Sequence, residues 1–148
     1  MAATLQEALL APDTRPLVIA DCEALIKQEV SDLTGISGTA VKLAYKAVNV
    51  FSPDHVRYII DVLLPRMTDE LEPYWAGFQS SDNLSFGDYL AERGDEVTGV
   101  LLSVSDERGA NSGNPVIIKA YGAVRGKAAR HVTSALPRVG ALVQKFAD

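Results

Sequence analysis

Residues 52–78 read SPDHVRYIIDVLLPRMTDELEPYWAGF, and this stretch decides the fold class. Val56, Ile59, Ile60, Leu63 and Leu64 recur every three or four positions, the spacing of one buried helical stripe. Ser52-Pro53 supplies a cap and then a proline at the first helical position, where a missing N–H costs nothing. Pro65 removes a donor and clashes with the preceding turn, so it is expected to kink or end the helix. Met67, Leu71, Tyr74, Trp75 and Phe78 then carry the pattern on, with Pro73 restarting it.

Working outward, helix punctuation is frequent and strand punctuation nearly absent. Upstream, Thr4-Leu5-Gln6-Glu7 reads as a capping box. A helix from Pro16 carries Ile19, Cys22, Ile26, Val30 and Leu33 on one face and stops at Gly35. The segment Gly38 to Phe51 aligns Val41, Ala44, Tyr45, Val48 and Phe51. Downstream, Gln79 to Asn83 is the best internal boundary. Ser85 caps a short helix ending at Gly94, and Asp95 caps another through Val97, Val100, Leu101 and Val104. Asp106 to Asn114 reads as a loop. Pro115 opens a last long helical region, weakened at Gly126 and bent at Pro137. Val116-Ile117-Ile118 alone could pass for a strand, but AYGAVRGKAARHV after it assigns helix.

Blocks recur in order. Val30-Ser31-Asp32 returns as Val104-Ser105-Asp106, Gly35 as Gly109 and Ser37-Gly38 as Ser112-Gly113. Ala44-Tyr45 returns as Ala120-Tyr121, His55-Val56 as His131-Val132, and Leu64-Pro65-Arg66 as Leu136-Pro137-Arg138. The offset runs from 74 to 76 and then falls to 72, a slip of about one helical turn that keeps the apolar face in register. The expected architecture is therefore all-α: a single helical domain over residues 1–148, a bundle of about seven to nine helices. Its two similar halves, near 16–78 and 84–146, pack about a pseudo-twofold axis. The segments VSDLTGISGTAVKLAYKAVN, LLPRM, EPYW and HVTSALPRVGALVQKF together resemble an uncharacterised family of small helical actinobacterial proteins. The resemblance covers nearly the whole chain and implies a bacterial cytoplasmic protein of this size. It implies no activity, and no site residue is carried over from it.

Composition bounds the function classes. A net charge of −5 over 148 residues disfavours a general nucleic-acid binder, which needs clustered Lys and Arg. Cys22 is alone, so an internal disulfide and a Cys-rich metal site are both excluded. The start MAATLQEALLAPD lacks the basic region of a secretory signal, and no eighteen apolar residues run together. The expectation is a soluble cytoplasmic protein with no membrane span and no cofactor.

Three groups of residues carry candidate binding chemistry. Ser37, Gly38, Thr39 and Lys42 form a glycine-rich helix start with a nearby lysine, matched by Ser112, Gly113 and Lys119; such starts can hold an anion. Ordinary N-caps look the same, and the phosphate-loop pattern is absent. Tyr74, Trp75 and Phe78 could line an apolar pocket or interface, or seal a core. From Pro115 onward six cations face Asp148 alone, and Arg125, Lys127, Arg130 and Arg138 form a possible basic contact face, or else neutralise the acidic remainder. His55 and His131 hold equivalent repeat positions but lack the carboxylates of a symmetric metal site. Cys22 lies on an apolar face between Asp21 and Glu23, which disfavours a nucleophile.

With no catalytic constellation in view, the first expectation is a non-enzymatic module that binds a protein partner or itself. The alternative is a small-molecule binder holding an anionic or acyl-type ligand between the halves. A third reading is nucleic-acid contact through the basic C-terminal helices. An enzymatic site assembled from distant residues stays open, since helical bundles can build one.

Overall fold

Prolines, caps and the left-handed Gly35 set the helix boundaries. In the computed structural model, which describes residues 4–83, 85–110 and 115–147, the elements are α1 (Leu5–Leu9), α2 (Arg15–Ser31), α3 (Gly35–Phe51), α4 (His55–Gln79), α5 (Phe86–Glu92), α6 (Gly94–Ala110) and α7 (Pro115–Ala147). Among the described residues there is no strand, and the helices form a single domain. The Thr4 hydroxyl accepts from the Glu7 amide at 3.1 Å and the Ser85 hydroxyl from the Asp88 amide at 3.1 Å, so each short helix starts on a satisfied donor.

Four boundaries differ from the expectation. The α3 helix begins at Gly35, whose φ of 77° turns the chain, instead of at Gly38. Ser52 closes α3, its amide donating to the Val48 carbonyl at 2.8 Å, and α4 starts only at His55. Pro65 and Pro73 both lie inside a continuous 25-residue α4. Pro65 strips the Asp61 carbonyl of its helical donor, and Arg15 from α2 supplies another at 2.9 Å. Tertiary hydrogen bonding thus offsets part of the proline's cost. Residues 106–110, expected in a loop, extend α6, while 111–114 lie outside the described residues.

Ser52-Pro53-Asp54 breaks the chain between α3 and α4, whereas α7 runs unbroken for 33 residues. The α7 helix packs against α1, α2, α3, α5 and α6. The core is densest where α4, α5 and α7 meet: Phe86, Leu90 and Leu136 are fully buried, and the Trp75 ring meets Phe86 edge-on at 5.1 Å. Gly87 and Gly140 let α5 and α7 touch backbone to backbone there. Charge fastens the remaining faces. Glu23 and Asp61 tie α2 to α4 through Arg57 and Arg15, while Asp21 and Glu29 of α2 and Asp32 at its C-terminal end meet Lys145 and Arg138 of α7.

Candidate functional site

The helical stripes of α2, α3 and α4 converge without closing. Between them, with α6 and α7 behind, lies a cavity of about 520 Å³. Cys22, Leu25, Ile26 and Val30 of α2 form one wall. Val41, Ala44, Tyr45 and Val48 of α3 form the second, and Val56, Ile59, Ile60 and Leu63 of α4 the third. Leu101 and Ser105 of α6 and Val139, Leu142 and Val143 of α7 close the back. The break at Ser52-Pro53-Asp54 aims the inner faces of α3 and α4 at the same space.

The space is partly open to solvent, and its walls are almost wholly apolar. Water is a poor filling, because an ordered water needs two to four polar partners. The lining offers few. The Thr68 hydroxyl already donates to the Leu64 carbonyl at 2.7 Å, and the Ser105 hydroxyl to the Leu102 carbonyl at 3.0 Å. Burial, helped by Asp21, pushes the Cys22 thiol up to about 11, so it stays protonated at neutral pH and is no nucleophile.

One polar group stands apart. His55, the first residue of α4, lines the cavity, and its Nε2 is buried without a hydrogen-bond partner among the described residues. A buried nitrogen left unpaired costs about 1–3 kcal/mol, so it is a natural place for the polar end of a guest. The arrangement therefore offers an apolar chamber with one imidazole at its wall. Among the described residues no group of three or more His, Cys, Asp or Glu side chains could hold a metal ion, and no helix is long and apolar enough to cross a membrane.

Residues 5–147 match a family of unknown function, DUF6918. The chain belongs to that family. No curated protein and no solved structure matches the chain.

In this DUF6918 member the residues singled out from sequence fall in different places. Thr39 donates to the Gly35 carbonyl at 2.9 Å, and Gly38 is packed so tightly on Leu33 that a Cβ would come within 3.0 Å of it. Lys42 and Lys119 are exposed, and neither lines the cavity. The side chain of Ser37 and the whole of Ser112 and Gly113 lie outside the described residues. Trp75 and Phe78 pack with Phe86 and Tyr89 in the aromatic core, away from the cavity lining. Tyr74 donates to Glu96 at 2.6 Å; lost hydration and then this carboxylate push its phenol up to about 12. Arg138 is paired with Glu29 and Asp32, and Arg130 is exposed, while the side chains of Arg125 and Lys127 lie outside the described residues. Asp69 and Glu72 lie inside α4, where Glu72 accepts from the Leu5 amide at 2.8 Å and Asp69 from Gln6, holding α1 down. His131 also has a buried Nε2 without a partner among the described residues, yet it does not line the cavity.

Sequence reasoning assigned the cavity walls to core stripes and missed the space between them. The available signal was side-chain volume: Val41, Ala44 and Val48 are a small inner face for a helix that must reach α2 and α4.

Proposed function

We propose that the protein holds an elongated apolar molecule of acyl type in the cavity between α2, α3 and α4, with the molecule's polar end at His55. The observation that carries this reading is the cavity of about 520 Å³ with its nearly all-apolar lining. That volume lies within the roughly 300–1,000 Å³ of sites that bury small molecules. The orphaned Nε2 of His55 supports the placement of the polar end. This reading is preferred to the interaction module because it gives the large cavity an occupant. The two helix starts have no part in it, since Lys42 and Lys119 line no part of the chamber.

We further propose that the chamber lies between two related halves, with α2, α3 and α4 of the first supplying three walls and α6 and α7 of the second the back. Two matching contacts support the relation. The Leu5 amide donates to Glu72 at 2.8 Å and the Phe86 amide to Gln144 at 3.0 Å. The acceptors are 72 residues apart, as are Leu64-Pro65-Arg66 and Leu136-Pro137-Arg138.

The test is titration of the purified full chain with a series of saturated fatty acids, read by displacement of a fluorescent acyl probe. Affinity is expected to rise about fourfold per added methylene until the cavity is full, as ~0.8 kcal/mol per buried CH₂ requires. Ala44→Phe, which occupies the space, should weaken binding at least tenfold while thermal unfolding shows the fold intact. His55→Phe should weaken fatty acids more than the matching alkanes. Affinity that ignores chain length, or is untouched by Ala44→Phe in a folded protein, would refute the proposal.

A further inference from the structure

The α3 helix has two apolar faces, and the cavity uses only one. On the opposite side Ile36, Leu43 and Val50 stand seven residues apart, which keeps them on nearly one line along the helix. They are 89%, 63% and 76% exposed, and Phe51 at the helix end is 55% exposed. An apolar stripe of this extent on a protein surface marks a contact with something else.

Charge identifies the chemistry of that contact. Lys42 and Lys46 stand exposed on the same helix, and neither forms an ion pair among the described residues. Elsewhere Arg57, Arg66, Arg138 and Lys145 are paired, while Lys27 of α2 forms no ion pair among the described residues. No Asp or Glu occurs along residues 35–51, nor along residues 115–147 of α7, the helix on which α3 packs, although the whole chain is net −5. Ile118 and Lys119 of α7 repeat the pairing of an exposed apolar residue with an exposed cation. An apolar stripe flanked along one edge by lysines, on a helix devoid of carboxylates, is the pattern of a helix lying in the headgroup region of an anionic membrane. The lysine stems run along the apolar boundary and their ammonium groups reach the phosphates. A second copy fits poorly, because a twofold contact of α3 on α3 would set Lys42 and Lys46 against their own counterparts.

We propose that the outer face of α3 docks on an anionic lipid surface. The cavity has no part in the argument, so the docking stands or falls separately from the ligand reading. The experiment is co-sedimentation of the full chain with vesicles of phosphatidylcholine alone and of phosphatidylcholine mixed with phosphatidylglycerol. The protein should pellet with the mixed vesicles, less so as salt is raised. Lys42→Gln and Lys46→Gln should each weaken binding about fivefold. Leu43→Asp and Val50→Asp change exposed positions, so circular dichroism should show native helix while binding falls at least about tenfold. Three results would overturn the proposal: no pelleting with either vesicle, pelleting unchanged by Leu43→Asp and Val50→Asp, or a concentration-dependent dimer that these two substitutions dissolve.

Discussion

Arg15 donates twice to Asp61, through Nε to the carboxylate and through Nη2 to the main-chain carbonyl, each at 2.9 Å. The second bond fills the position that Pro65 cannot, since the residue four places on would normally supply the donor. A helix that sequence alone would break is therefore held straight from outside.

This coupling is measurable. Arg15→Met should cost about 1–2 kcal/mol, the sum of a hydrogen bond to a charged donor and a half-exposed ion pair. In a Pro65→Ala background the carbonyl regains its helical donor and the cost of Arg15→Met should shrink by about half. A double-mutant cycle by urea unfolding reads the difference. Strict additivity would mean that the carbonyl bond contributes nothing.

The crossing of α5 and α7 should tolerate no side chain. A Cβ on Gly87 would come within 2.5 Å of the Pro137 carbonyl oxygen, and a Cβ on Gly140 would collide with the Gly87 main chain. Both neighbours are backbone, so neither can step aside. Gly140→Ala should destabilise by about 3 kcal/mol or more. Gly99 in α6 has nothing within 4 Å of its Cβ position, and Gly99→Ala should stabilise by roughly 0.5–1 kcal/mol. Opposite signs for the same chemical change are the expected result in thermal unfolding.

Cys22 should give the protein an alkaline limit. Its thiol rises from 9.0 to about 11 on folding, chiefly through burial. The folded value is the higher one, so the contribution is fully present below pH 9 and is lost as pH climbs towards 11. The loss amounts to roughly 2–3 kcal/mol across that window. Cys22→Ala should flatten the fall in unfolding free energy between pH 9 and 11. In the parent chain, thiol alkylation at pH 8 should be slow and should quicken only on unfolding. Rapid labelling of the folded protein would contradict the buried placement.

The starts of the two short helices are legible in the sequence because Thr4 and Ser85 use local hydrogen bonds. A hydroxyl three residues from its donor needs no help from the rest of the chain. Pro65 is different. Its effect depends on Arg15, fifty positions away, and no local pattern announces that partner. Ser52 misleads for a related reason. A serine before proline serves a helix end as well as a start, and the Val48 carbonyl decides between them. The candidate site was the least legible. Its residues have the periodicity of core stripes, and a stripe that faces a void has the same spacing as one that faces a neighbour. Asp69 and Glu72 have the pattern of solvated surface until α1 is placed beside them.

The 33-residue α7 is about 50 Å long and is the surface against which α1, α2, α3, α5 and α6 all rest. It follows all five in the chain. During synthesis none of them can reach its final seat until the stretch beyond Pro115 has been made. The earlier helices must wait with their apolar stripes partly uncovered. A domain built on this plan is assembled late and as a whole, so the emerging chain is at its most vulnerable to aggregation and to proteases until α7 has been made.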